Sequence, residues 1–231
     1  MKLLAVETAT EACSCALWDE GRVLERYEQV GRGHTQRLPP MVLELLASAG
    51  VGFSQLDGLV CGIGPGSFAG VRIALGFIQG LALARELPVQ GVSTLATLAQ
   101  GSGQAQVVAA LDARMGEIYL GCYQRDATGL MQALGPERVC APGQASLPAV
   151  LRDWHATGSG WGAYPELLEA RLGRPQSLTP EALPHAAQAL ELALPAFRSG
   201  QTQDLRSLQP VYLRNKVALN LIEQKMSNKN K

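Results

Sequence analysis

The stretch from Leu59 to Arg85 constrains this chain more than any other. Leu59 to Ile63 is short and apolar, as a buried strand is. Gly62, Gly64 and Gly66 follow, and glycine lets the backbone turn and approach its neighbours where a side chain would not fit. Ser67 is placed to cap a helix that runs to about Arg85. From Ile73 to Ala84 that helix is apolar or glycine except for Gln79, so it has no broad solvent face. A helix that is apolar all round is buried or covered by something. Gly66, Gly70 and Ala74 recur at every fourth position, and so do Gly76, Gly80 and Ala84. Glycine inside a helix costs about 1 kcal/mol against alanine, so repeated glycines imply close packing as compensation. Two smooth stripes allow two partners, the protein's own sheet on one side and a second chain on the other.

A phosphate cradle is the rival reading of the glycine loop, because a helix N-terminus offers free N–H groups to anions. The Walker type needs Gly-Lys-Ser/Thr, and this loop has no lysine. Gly64-x-Gly66-x-x-Ala69 fits the loose dinucleotide fingerprint, but the next strand, residues 89–92, ends at Ser93 rather than at an acid.

With 47% hydrophobic residues in 231, the chain can build a proper core as one large domain or two small ones. Its 20 basic and 20 acidic side chains cancel, which removes the electrostatic footprint of an autonomous nucleic-acid binder but not RNA contact within an assembly. The five cysteines fit no zinc spacing; Cys13, Cys15, Cys61 and Cys122 lie in strand-like runs, as core residues of a reducing cytoplasm do. The first residues lead straight into a strand that meets Glu7, which is not a signal peptide. The apolar helix is expected to be too short and too glycine-rich to span a bilayer.

A long repeat emerges on reading the chain in order. Residues 2–6 form a strand that ends at Glu7. After a polar turn come strands at 13–18 and 22–29, joined by Asp19-Glu20-Gly21. Residues 107–111 form a strand that ends at Asp112. After another turn come strands at 117–123 and 130–134, joined by Asp126-Ala127-Thr128-Gly129. The period, about 105 residues, is far too long for a solenoid and points to two related halves. Gly101-Ser102-Gly103 is the most hinge-like linker, so the halves are expected at 1–101 and 102–231. Helical spacing runs from Leu38 through Met41, Val42, Leu45 and Leu46 to Ala49, with Pro39 and Pro40 in the first turn and Gly50 at the stop. Further helices are expected at 94–100, 148–153, 165–171 and 186–197, with Pro195 as a kink or early end. Residues 209–214 form a separate element, and 227–231 read as a disordered basic tail.

The available chemistry is thin. Glu7, Thr8 and Thr10 could hold phosphate oxygens and a metal's waters at the first turn, and Gly158 and Gly160 form a second glycine-rich turn that could face the same ligand. An ordinary polar hairpin explains the first turn equally well. His34 has Arg37 and Leu38 at the helical partner positions, so it forms no metal pair. No Ser-His-Asp or Cys-His order stands out.

Leu4-Ala5-Val6-Glu7-Thr8-Ala9-Thr10, His34-Thr35-Gln36-Arg37-Leu38, Gly64-Pro65-Gly66-Ser67-Phe68-Ala69-Gly70-Val71-Arg72-Ile73, Asp112-Ala113-Arg114-Met115-Gly116-Glu117 and Pro210-Val211-Tyr212-Leu213-Arg214-Asn215 together closely resemble the bacterial TsaB family. The resemblance implies an α/β, duplicated actin-like (ASKHA, ribonuclease H-like) fold, each half a mixed sheet flanked by helices. It implies a part in making threonylcarbamoyladenosine beside the anticodon of tRNAs that read codons starting with adenine. The role is that of a non-catalytic partner of the catalytic subunit TsaD, which also recruits the ATPase TsaE and meets tRNA through the complex. TsaD binds metal through His-x-x-x-His; here the second position is Leu38. Family pairing uses the first two helices, which maps the interface to Leu38, Met41, Val42 and Leu45 on one and to Gly66, Phe68, Gly70, Val71, Ala74, Phe77 and Gly80 on the other. The same surface forms homodimers when the subunit is alone. No intrinsic cofactor or metal and no membrane are implied; ATP or ADP at the joint with TsaD is the candidate ligand. Glu7 stands where the family often has the shorter Asp, which argues against nucleotide binding by this chain alone. An actin-like ATPase or phosphotransferase is the alternative from another class, and a structural dimer unrelated to tRNA is a third. A protease activity described for some members finds no support in these residues.

Overall fold

The computed structural model describes residues 1–214 as two sheets with the same topology. In the first, β1 (Lys2–Glu7), β2 (Ala12–Asp19) and β3 (Arg22–Gln29) form an antiparallel meander, and β4 (Gly58–Gly62) and β5 (Val89–Val92) add in parallel beyond β1, giving the order β3-β2-β1-β4-β5. In the second, β6 (Gln106–Arg114), β7 (Glu117–Arg125) and β8 (Met131–Ala133) form the meander. A short β9 (Arg138–Cys140) pairs with β7 off the main path, and β10 (His155–Thr157) and β11 (Ser177–Thr179) add in parallel beyond β6. Reversed, its order β11-β10-β6-β7-β8 matches the first sheet strand for strand. The repeat read from the sequence is thus a duplication of the whole sheet.

Side chains alternate across each strand, so each sheet has two apolar faces to cover. On the first sheet Leu4, Val6, Cys15, Leu17, Leu59 and Cys61 face α1 (His34–Ala49) and α2 (Phe68–Arg85). On the second, α3 (Thr94–Gly101) covers Val107, Ala109 and Leu111, while α4 (Ser159–Ala163) and α5 (Pro165–Leu172) cover Val108 and Ala110. The opposite face of the first sheet, Leu3, Ala5, Ala16 and Val60, packs on Ala186, Ala189, Leu190 and Ala193 of α6 (Ala186–Ser199). So α3 belongs by packing to the second sheet and α6 to the first, and a cut at 101/102 parts each of these helices from the sheet it covers. The N-terminus of α6 shows the same crossing. His185 provides no side-chain cap; instead Ser14 Oγ accepts the Ala186 N–H at 2.8 Å and Glu25 Oε1 accepts the Ala187 N–H at 3.1 Å.

Several expectations need correction. α1 begins at His34, so Pro39 and Pro40 lie inside it, on its solvent side. Water can serve the carbonyls that proline leaves unpaired there. α6 runs through Pro195, which is likewise exposed, and ends at Gly200 in the left-handed region (φ 69°). No helix forms over 148–153; a 3₁₀ turn at Pro142–Gln144 precedes it. The strands β10 and β11 were not expected, being three residues each with polar His155, Thr157 and Thr179. At 18 residues and a mean hydropathy of 1.3, α2 is not too short to cross a bilayer by length and composition. Its inner side packed on β1 and β4 is that of a core-flanking helix. Asn215 and the tail at 227–231 lie outside the described residues.

Candidate functional site

Two surfaces stand out: a cleft between the halves, and the outer side of α2. The cleft, about 710 Å³, is lined by the first turn, the start of α2, the β6–β7 hairpin and the last described residues. Thr10, Arg32, Ser67, Asp112, Ser159 and Arg214 are among its polar walls.

Of the candidate nucleotide residues, only Thr10 reaches it. Glu7 is fully buried beneath Gly62, where a Cβ would stand 2.2 Å from Glu7 Oε2. Its Oε1 accepts the Ala9 N–H at 2.7 Å and its Oε2 accepts the Thr94 hydroxyl at 2.9 Å. Burial pushes its pKa up to about 7, against the pull of hydrogen bonds from Ala9, Thr94 and Thr8. Thr8 turns inward and donates its hydroxyl to the Gly70 carbonyl at 2.7 Å. Gly158, at φ +97°, lies so close to β6 that a Cβ would be 2.5 Å from the Ala110 carbonyl oxygen; at Gly160 it would be 2.9 Å from Ala110 Cβ. These contacts pack the turns of the two halves against their own strands and helices.

The glycine loop before α2 is the same kind of device. A Cβ at Gly66 would stand 2.3 Å from the Ala9 carbonyl oxygen, and the Ser67 N–H donates to that oxygen at 2.7 Å. At Gly70 a Cβ would be 2.0 Å from the Thr8 carbonyl oxygen. Ser67 Oγ caps the helix by accepting the Gly70 N–H at 3.3 Å.

Two of the acids at or beneath the cleft are engaged within the chain, while Glu11 lines it. Glu7 is covered, and Asp112 is occupied: Oδ1 accepts the Arg114 N–H at 2.8 Å and Oδ2 pairs with Arg114 Nη1 at 3.0 Å. His34 is buried, with Nε2 3.1 Å from the Ala12 carbonyl oxygen. Among the described residues no three His, Cys, Asp or Glu side chains converge on a metal position. Burial pushes all five cysteine thiols upward, with Cys13 near 11 and Cys15 near 12, so none is activated. A Ser–His contact does exist, unseen in the sequence. His155 Nδ1 lies 2.7 Å from Ser177 Oγ, and Nε2 lies 2.9 Å from Thr179 Oγ1. Its third group is a hydroxyl rather than a carboxylate, and the cleft is elsewhere.

α2 carries two different sides. Leu38, Met41, Val42 and Leu45 of α1, and Gly70, Val71 and Ala74 of α2, are buried in the chain's own core, so these expected interface residues are not open to another chain. Gly66 is spent on the Ala9 contact. Phe68 remains half exposed, Phe77 is partly buried, and Gly80 is open. The open side continues from Gly80 to Gly76 and Ala84, with Leu83 beside it at 75% exposure. Nothing lies within 4 Å of a Cβ added at Gly76 or Gly80. The second glycine stripe was legible in the sequence; that it alone faces outward was not.

Comparison with known proteins agrees with this architecture. The family model of TsaD, described as tRNA N6-adenosine threonylcarbamoyltransferase, matches residues 27–219. The tRNA threonylcarbamoyladenosine biosynthesis protein TsaB of Escherichia coli (strain K12) is 43% identical over 228 residues, covering 94% of this chain and 96% of its own. Its namesake in Haemophilus influenzae is 39% identical, covering 94% and 95%. The solved structure of YeaZ from Pseudomonas aeruginosa superposes with a TM-score of 0.86 at 47% identity, over 92% of this chain and 99% of that one. Two sheets duplicated strand for strand, a TsaD-type match across both, and relatives similar nearly end to end place the chain in the TsaB family, with its duplicated actin-like fold.

Proposed function

We propose that this chain is an accessory subunit in the formation of threonylcarbamoyladenosine on tRNA, and that it docks a TsaD-type catalytic subunit against the outer side of α2. The part in that biosynthesis follows from the family. The docking rests on one observation: an 18-residue apolar helix of which 33% is buried, with Gly76 and Gly80 open on its outer side. Glycine in a helix weakens it unless something gains from the missing side chain. Inside the protein Gly70 gains contact with Thr8; outside, Gly76 and Gly80 have no such neighbour. A second helix laid on them approaches backbone to backbone, as helices do at small residues. The exposed Leu83 supplies apolar area beside that seam.

In this reading the subunit works in the cytoplasm, recruits TsaE to the pair, contacts tRNA only within the complex and pairs with its own copy when the partner is missing. Chemistry stays with the partner, which is consistent with the covered Glu7 and the occupied Asp112. ATP or ADP, where used, sits at the joint rather than in this chain's cleft. Depletion of the chain followed by mass spectrometry of tRNA nucleosides tests the function. Threonylcarbamoyladenosine is expected to fall and to return with the wild-type chain but not with Gly80→Trp; an undiminished level on depletion sinks the proposal. Calorimetry with ATP and magnesium separates the ATPase alternative, which requires tight binding by the isolated chain.

A further inference from the structure

The outer side of α2 does not end at Gly76. One turn earlier it carries Arg72, which is exposed. The Arg72 guanidinium carbon lies 3.4 Å from the centre of the Phe68 ring and 5.6 Å from that of Tyr212. The two rings are themselves 5.9 Å apart. Tyr212 belongs to the segment 208–214, which crosses from one half to the other. Leu208 is buried in the core of the first half, and Val211 donates its N–H to the Ile63 carbonyl at 2.8 Å. Arg214 is fixed to the β6–β7 hairpin of the second half. Its guanidinium donates to Glu117 Oε2 at 2.5 and 3.0 Å, to the Ala113 carbonyl at 3.0 Å and to the Arg114 carbonyl at 3.3 Å. That hairpin turns on Arg114 and Met115 at φ +63° and +58°, a backbone that side-chain-bearing residues resist and that needs holding from outside.

We propose that residues 208–214 form a strap that couples docking on α2 to the cleft between the halves. The proposal rests on the reading that a TsaD-type partner covers the outer side of α2. A helix laid on Gly76 and Gly80 reaches Arg72 and takes its guanidinium out of water. A cation over an aromatic face is worth more once desolvated, so docking tightens Arg72 on Phe68 and Tyr212. That steadies the strap, and the far end of the strap holds the hairpin that forms one wall of the cleft. Linkage requires the converse: loosening the strap at Arg214 weakens docking by the factor with which docking steadies the strap. Arg214 is the informative position because its contacts are with the second half and not with α2.

The full chain is titrated with the TsaD subunit, and backbone hydrogen exchange at Val211 is followed in the free and docked chain. Docking is expected to slow that exchange about 5-fold or more, and Arg214→Met to weaken docking by a similar factor. Tyr212→Ala should do the same, and the double variant no more than either single one, because both break one connection. Glu117→Gln, which keeps the shape but weakens the ion pair, should act in the same direction and serves if Arg214→Met does not fold. Unchanged docking in these variants with unchanged exchange at Val211 overturns the strap, as does a fully additive double variant. Gly80→Trp keeps the two failures apart: if it still docks normally the docking reading falls, and if it does not dock while Arg214→Met does, only the strap falls.

Discussion

Thr94 donates its hydroxyl to the carboxylate of Glu7 at 2.9 Å, joining the end of β1 to the first residue of α3 across 87 positions of sequence. The other carboxylate oxygen takes the Ala9 N–H, and the group is fully buried with its pKa raised to about 7 from the usual 4.5. The folded protein therefore holds this proton more tightly than the unfolded chain does. The resulting stability is complete below about pH 4.5 and is lost as pH rises toward about 7, a difference of about 3 kcal/mol. Thermal melts of the wild type are expected to fall over that window. Glu7→Gln keeps the shape and an acceptor for the Ala9 N–H, its amide nitrogen donating to Thr94 Oγ1 instead of accepting, and should flatten the curve; a variant curve parallel to the wild type would refute the assignment.

The two glycine stripes of α2 should respond to alanine with opposite signs. Gly70→Ala forces a methyl into the Thr8 carbonyl and is expected to destabilise by at least about 2 kcal/mol. Gly80→Ala meets nothing within 4 Å and should stabilise by up to about 1 kcal/mol through helix propensity alone. Denaturant midpoints of the two variants, measured side by side, check both signs.

A bulky residue on the outer side separates docking from folding. Gly80→Trp is expected to leave the melting temperature within a few degrees of the wild type, since surface substitutions change stability by about 0.5 kcal/mol or less. It should abolish pairing with TsaD in gel filtration. Gly70 and Ala74 cannot serve as such probes, because both lie in the chain's own core.

The cap of α6 comes from another element. Ser14 sits in β2, 172 residues from the Ala186 amide that its hydroxyl accepts. Ser14→Ala should cost about 1 kcal/mol and, in hydrogen exchange, loosen the first turn of α6 before the sheet that carries the substitution.

Strand periodicity, helix caps and the repeat of strand, acid, turn and strand were legible because each is a local pattern. Ser67 caps α2 where the sequence placed it. Glu7 was visible as an acid ending a strand, but its burial was not, since the covering atoms come from Gly62 and Thr94. The family's pairing helices mapped Leu38, Met41, Val42 and Leu45 onto an interface; an apolar helical stripe looks alike whether it meets its own sheet or another chain, and these four meet their own sheet. The short strands β10 and β11 carried too few residues to show a period; β10 exists because β6 offers it an edge, and β11 because β10 offers the next one.

The sequence by itself determined a duplicated α/β chain, the family it resembles and a helix with two smooth sides. Only the tertiary structure decided which side is which. Gly66 and Gly70 are pressed against carbonyl oxygens of the first turn, leaving Gly76 and Gly80 outside. Spacing along a helix fixes which residues share a side, while burial of that side depends on backbone from positions far away in the chain.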